Sequence, residues 1–345
     1  MHDVDAAPAP TRAAHFSDGA FIAAAVVATA LIALVALGAR SWIDQPFAGF
    51  FLRADRTVAA VGRVAWGDTA LRALYERTVL AVDGVTIANA DDLHRRVAAK
   101  PLGALTAYTV TDGTTTTIVS VPSRLFSRAD YWAVFAAYLG TGLCYVLLAI
   151  LAAWALPTDR VGRALLYLGG VAGLYMLTAA DLYPPASSLR LHTLAGALLP
   201  ATLVQFALAV GDSRLRFAAR ALPIVWILSV VAAASMQIAI GDPTASRWFH
   251  ATCDAALGFA LVSATVGLAA RVRVTTDAAS LVAGTALFGL GVPAVVFLVA
   301  GTLGGVPQNA SATLAFLFPL GMSAAVLRRD PSLRVCDVAR SGRSL

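Results

Sequence analysis

Four ionisable side chains, Asp181, His192, His250 and Asp254, stand at the ends of long apolar runs, where a charge next to lipid is costly and therefore informative. His250 and Asp254 are four residues apart and share one face of a helix. A carboxylate and imidazoles gathered at one level of a helix bundle could line a small-ligand or metal pocket. The same groups could equally reach interfacial water or fix helix packing, and no metal is assigned to them. Gln205 and Gln237 lie deeper in their runs and read as hydrogen-bonding glue between helices. Catalytic signatures are missing. The chain has no H-E-x-x-H zinc motif, no G-x-S-x-G nucleophile elbow, no Walker A loop and no kinase or cyclase core. The expectation is a protein that is not an enzyme, with no catalytic residues and no cofactor.

The elements that would position these groups are membrane spans. Of 345 residues, 59% are hydrophobic and 13% charged, against about 45–50% and 25% in soluble domains. Residues 20–39 form an apolar run long enough to cross about 30 Å of hydrocarbon. It reads as an uncleaved anchor, with a cleaved signal peptide as the competing reading. Seven further runs follow, at 131–154, 164–180, 191–210, 221–240, 251–270, 280–300 and 312–327. The run 288–293 contains Gly289, Gly291 and Pro293, and predicts a kink.

Arginine placement gives the topology. Three alternate loops and the C-terminal tail hold twelve arginines, including Arg160, Arg163, Arg214, Arg216, Arg220, Arg271, Arg273, Arg328 and Arg329. The intervening loops hold only Arg190 and Arg247. The positive-inside rule then puts both termini in the cytoplasm and the segment after the first run outside. The basic balance, +6 at pH 7, is thus a topology signal and gives no reason to expect nucleic acid. The three cysteines form no disulfide framework.

Between the first two runs lies the one stretch that reads as a water-soluble fold. Residues 79–82 predict a strand, Asp83-Gly84 a turn, and Asn89 the N-cap of a helix whose first turn carries Asp91 and Asp92. Leu93 and Val97 give that helix an apolar edge. Residues 105–111 and 115–121 predict a hairpin about Asp112-Gly113. Upstream, Pro46 to Phe51 form an apolar loop around Gly49. The Val82-Asp83-Gly84 turn, the Asp92-Leu93 helix start and the closing hairpin resemble the second half of a bacterial PDZ-like domain. The loop at Gly49 resembles the loop with which that family holds a peptide carboxylate. The resemblance implies that Gly49, Phe50 and Phe51 take the carboxylate while Leu93 and Val97 line a peptide groove. The usual G-L-x-x-G-D run before the V-D-G strand is replaced here by residues 71–77, LRALYER.

The last run, from Phe318-Pro319-Leu320 to Arg328-Arg329-Asp330, resembles the exit from multi-span sensor regions of bacterial histidine kinases and cyclases. Some of these also carry an outer PDZ-like module after a first anchor. The resulting fold class is a polytopic α-helical membrane protein of about eight spans with a small α+β domain between the first two. Its segments are a cytoplasmic stub (1–19), an anchor (20–39), the PDZ-like domain (40–125), a seven-helix bundle (129–327) and a basic cytoplasmic tail (328–345). What this implies is a bacterial inner-membrane sensory or scaffolding protein. Its outer module would bind a peptide or protein, and its bundle would relay the event to a separate cytoplasmic signalling protein. The alternatives are a small-molecule receptor or carrier with an outer-facing pocket, and a non-catalytic partner of an envelope protease or lipoprotein system.

Overall fold

The computed structural model describes residues 27, 30–31, 34–63, 66, 71, 73–183, 188–210, 216–240, 242–274, 278–303 and 309–327. Arg214, Arg328, Arg329 and the tail, most of the first apolar run, and Pro184-Pro185 lie outside them.

Residues 34–40 are helical and lead into the soluble region. Its short strands are β1 (Pro46–Phe47), β2 (Thr78–Val82), β3 (Val85–Thr86), β4 (Leu105–Thr111), β5 (Thr116–Pro122) and β6 (Arg124–Leu125), with helix α1 at Ala90–Ala98. The main sheet runs β3-β2-β4-β5 and is antiparallel, while β1 and β6 pair separately. Local chemistry accounts for each junction. Asp83 and Gly84 both take positive φ, 49° and 78°, which turns β2 tightly back into β3. The Asn89 side chain accepts the Asp92 amide at 2.9 Å and starts α1. At the β4–β5 turn the Asp112 carboxylate takes the amides of Thr114 and Thr115, at 2.9 and 2.8 Å, and both hydroxyls at 2.8 Å. These bonds hold its pKa well below the usual carboxylate range.

The remaining helices are α2 (Arg128–Ala155), α3 (Arg160–Ala179), α4 (Leu189–Val210), α5 (Arg216–Ala239), α6 (Pro243–Val274), α7 (Ala278–Leu303), α8 (Asn309–Ala315) and α9 (Leu317–Leu327). Ser127 and Asp130 cap α2 reciprocally, each side chain accepting the other's backbone amide. Among the described residues five helices are long and apolar enough to cross a membrane: 128–155, 160–179, 189–210, 220–239 and 244–269. Of two shorter apolar helices, Gly284–Val296 lies inside the expected run 280–300, and Ser311–Leu327 matches the expected run 312–327 to within one residue at Ser311. The final run is broken at Phe316, between α8 and α9. On α5, Ile224, Ile227, Leu228 and Ile238 are exposed, an apolar surface that belongs against lipid. The chain has the build of a membrane-embedded protein.

Packing closes a ring. α2 packs on α3, α3 on α4, α4 on α6, α6 on α7, α7 on α9, and α9 back on α2; α5 lies outside against α4. Gln205 and Gln237 tie α5 to α4 as the sequence predicts. Trp226 donates to Gln205 at 2.9 Å, and Gln237 donates to the Arg190 carbonyl and to Thr193. Pro293 sits inside α7, and Gly289 lets α7 approach α9 so closely that a Cβ there would lie 2.5 Å from the Phe318 Cα.

The soluble region is not perched on this ring; it shares a core with it. Trp42, Phe47, Phe51, Trp66 and Phe126 pack together with Phe135 of α2 and Tyr183 after α3. Phe51 stacks on Tyr183 with ring centroids 4.3 Å apart and planes at 17°. Aromatic pairs of this kind add about 0.5–1.5 kcal/mol beyond their area burial.

Candidate functional site

Inside the ring, beneath the soluble region, is a cavity of about 210 Å³. Its walls come from six helices and one loop. α2 gives Tyr138 and Tyr145, α3 gives Leu168, Ala172 and Tyr175, and α4 gives His192, Leu199 and Leu203. α6 supplies His250, Asp254, Leu257 and Leu261, α7 supplies Gly289, Leu290 and Pro293, and α8 supplies Ser311. The roof is the loop carrying Arg53 and residues 59–61, with Tyr183 beside it.

The roof loop is held by short-range bonds. The Arg53 amide donates to the Thr57 carbonyl at 2.9 Å, and Asp55 accepts the Thr57 amide at 3.0 Å. Arg56 takes φ of 63° at this bend. The Arg53 guanidinium then reaches Glu76 in an ion pair. Burial alone would lower the Arg53 pKa; the Glu76 and Asp55 carboxylates outweigh it and raise it. Further along, Gly62 and Asn309 of α8 exchange hydrogen bonds. Asp130 of α2 accepts from Arg63 at 2.6 Å and from the Trp66 indole at 2.9 Å. Arg247 of α6 bonds the Thr78 hydroxyl.

Three of the four ionisable residues singled out in the sequence meet at this cavity. His250 and Asp254 line it from one face of α6, and His192 lines it from α4. The His192 ring stacks on Tyr175, with centroids 4.3 Å apart. Its Nδ1 faces the Tyr175 carbonyl at 3.2 Å, and the His250 Nδ1 faces the Ser246 carbonyl at 2.7 Å. The Thr178 hydroxyl also stands 3.1 Å from the His192 Nδ1 and the Ser246 hydroxyl 3.5 Å from the His250 Nδ1. In the tautomer that donates from Nδ1 to the carbonyl, Nε2 is left as an acceptor. Asp181 is elsewhere. It is 2% exposed and accepts the Ser188 amide at 2.9 Å and hydroxyl at 2.8 Å, closing the connection between α3 and α4. Among the described residues no group of three or more His, Cys, Asp or Glu is placed to hold a metal ion.

The residues expected to hold a peptide are occupied by the chain itself. Phe50, Phe51, Leu93 and Val97 are 0–1% exposed, and Gly49 is buried as well. Gly49 does take the left-handed conformation, φ 84°, that a tight apolar loop requires. A Cβ at this position would meet the Leu71 side chain at 3.4 Å, so the loop faces packed side chains.

Arg53, Tyr138, Tyr175 and Tyr183 were not singled out in the sequence. A signal existed for one pair: Tyr138 and Tyr145 are seven residues apart in an apolar run, which puts two amphipathic rings on one helix face. Arg53 had none, because only the tertiary fold brings its loop over the bundle.

No protein-family model, curated protein or solved structure matches this chain.

Proposed function

We propose that this protein is a bacterial inner-membrane receptor without catalytic activity of its own, in which a small amphipathic molecule occupies the cavity between the outer PDZ-like module and the helix bundle. In this reading the chain crosses the membrane about eight times, an anchor and a seven-helix bundle, both termini are cytoplasmic, and the occupied state is passed to a separate cytoplasmic signalling protein. The observation that carries the reading is the cavity itself. It is apolar along most of its length and polar beneath the roof, the lining of a small-molecule site. Every helix of the ring except α9 contributes to the wall, so an occupant touches nearly the whole bundle and the module at once. A ligand that fits one arrangement of roof and ring better than another shifts the balance between them.

The peptide-binding reading is weaker, because Phe50, Phe51, Leu93 and Val97 are buried in the module's own core. The shared aromatic core also makes the full chain the proper test object. The chain is purified in lipid nanodiscs, and small molecules are released by denaturation and identified by mass spectrometry. The expected result is a molecule recovered at about one per chain and lost from Leu257→Trp, which fills the cavity wall. Equal recovery from both proteins would remove the receptor reading.

A further inference from the structure

We infer that the occupant of this cavity carries a cationic nitrogen head, such as an alkylammonium, on an apolar tail; the inference rests on the receptor reading above. The charge balance under the roof supports it. Arg53 already has its counterion, because its guanidinium is paired with Glu76. Asp254 lines the same cavity and makes no hydrogen bond or ion pair among the described residues. Arg53 is shared among Glu76, Asp55 and, at longer range, Asp254, and His250 also faces Asp254; Asp254 is the carboxylate of the cavity lining without a close ion-pair partner among the described residues.

The hydrogen-bonding chemistry points the same way. In the tautomer that places the Nδ1 protons of His192 and His250 on the Tyr175 and Ser246 carbonyls, both imidazoles offer an acceptor at Nε2. Carboxylate and imidazole acceptors together ask for a ligand rich in N–H donors. Tyr138, Tyr175 and Tyr183 line the same region, and aromatic faces attract ammonium groups. A carboxylate ligand would meet Asp254 with like charge.

The length of the site specifies the tail. Leu199 follows His192 by seven residues and Leu261 follows Asp254 by seven, so each lies about 10 Å further along its helix. Leu168 precedes Tyr175 by seven on α3 and extends the same apolar wall. The carboxylate and imidazole groups therefore cluster at the roofed end, and the cavity runs from them into a lining that is apolar but for Tyr145.

Hexylamine, hexan-1-ol and hexanoate share one tail and differ in head charge. Each is titrated by calorimetry into the full chain in nanodiscs, with empty nanodiscs subtracted. Saturable binding in the order hexylammonium, hexanol, hexanoate is expected. Asp254→Asn should weaken hexylammonium about tenfold, the factor that corresponds to 1.4 kcal/mol, and Asp254→Glu should restore it. Hexanol binding by Asp254→Asn reports that this variant is folded. Hexanoate binding as tightly as hexylammonium, or an Asp254→Asn variant that keeps wild-type affinity, would overturn the cationic head while leaving a ligand cavity in place. If none of the three binds saturably, the receptor reading fails and the head-group inference fails with it.

Discussion

Asn309 and Gly62 exchange two hydrogen bonds across 247 positions of sequence: the Asn309 Nδ2 donates to the Gly62 carbonyl at 3.1 Å, and the Gly62 amide donates to the Asn309 Oδ1 at 3.4 Å. A side-chain amide here does what a neighbouring strand would do for an exposed backbone. It fastens the loop roofing the cavity to α8, at a point where Asn309 is only 9% exposed. Gly62 is required by space, since a Cβ would stand 2.6 Å from the Tyr75 hydroxyl and 3.1 Å from the Trp66 ring.

Replacing Asn309 with Leu leaves the Gly62 amide and carbonyl buried without partners, at a cost of about 1–3 kcal/mol for such groups. The loss should be local. Hydrogen exchange of residues 58–63 in nanodiscs should accelerate by about tenfold or more, while the β4–β5 ladder keeps its protection. Unchanged exchange at Gly62 would show that Asp130 and Arg247 hold the roof without Asn309.

How much of this was legible in the sequence follows the range of the interactions. The Asp83-Gly84 turn, the Asn89 cap and the Asp112 hairpin are decided within a few residues, and each stands where the sequence puts it. Apolar runs located the helices because backbone in lipid must satisfy itself. The break at Phe316 and the closing of the ring are tertiary, and hydropathy is blind to both. At the site, the four-residue spacing of His250 and Asp254 survived folding because one helix carries both. The loop at Gly49 is packed into the module's own core. Its apolar residues, read as peptide contacts, were demanded by the aromatic core beneath them. Composition cannot tell those two uses of phenylalanine apart.

His94 gives the module an acid sensitivity. Its ring packs edge-on against Trp42, with centroids 3.9 Å apart, and burial depresses its pKa from 6.5 to about 3. The unfolded chain therefore binds a proton on this residue at a pH where the folded chain refuses it. The associated stability is fully present above pH 6.5 and is lost progressively as pH falls toward about 3. Thermal melts followed by tryptophan fluorescence should show a midpoint falling across that window. In His94→Leu the midpoint should hold until carboxylates such as Asp83 protonate. The Lys100 bond and the Ala107 amide keep the Asp83 pKa below its ordinary value, 3.8, so acid weakens that contact only at lower pH. A His94→Leu variant with the wild-type slope between pH 6.5 and 4 would assign the sensitivity to another group.

Gly169 and Gly173, four residues apart on α3, set how closely α3 and α2 approach. A Cβ at Gly169 would lie 2.8 Å from the Tyr145 carbonyl oxygen and 2.9 Å from the Ala149 amide. One at Gly173 would lie 2.7 Å from the Val146 Cγ2 and 3.2 Å from the Gly142 carbonyl oxygen. On the facing helix, a Cβ at Gly142 would collide with Leu177 at 2.7 Å. The contacts at Gly169, and the one of Gly142 with the Leu177 amide at 2.9 Å, are with backbone, which turning a side chain cannot relieve; this is the small-residue packing by which helices associate in lipid. The spacing was present in the sequence as G-x-x-x-G at 169–173, and it positions Tyr145 and Tyr175 on the two sides of the cavity. Gly170, between them, faces open space with nothing within 4 Å. Gly169→Val or Gly173→Val should therefore destabilise the bundle by about 1–3 kcal/mol, as overpacking does. Gly170→Ala should stay within about 0.5 kcal/mol of wild type. Unfolding titrations of the three variants in the same nanodisc lipid measure the contrast. Equal losses at positions 169 and 170 would mean that helix propensity, and not the α2–α3 contact, sets the stability. In that case Tyr145 and Tyr175 would owe their separation to some other seam of the ring.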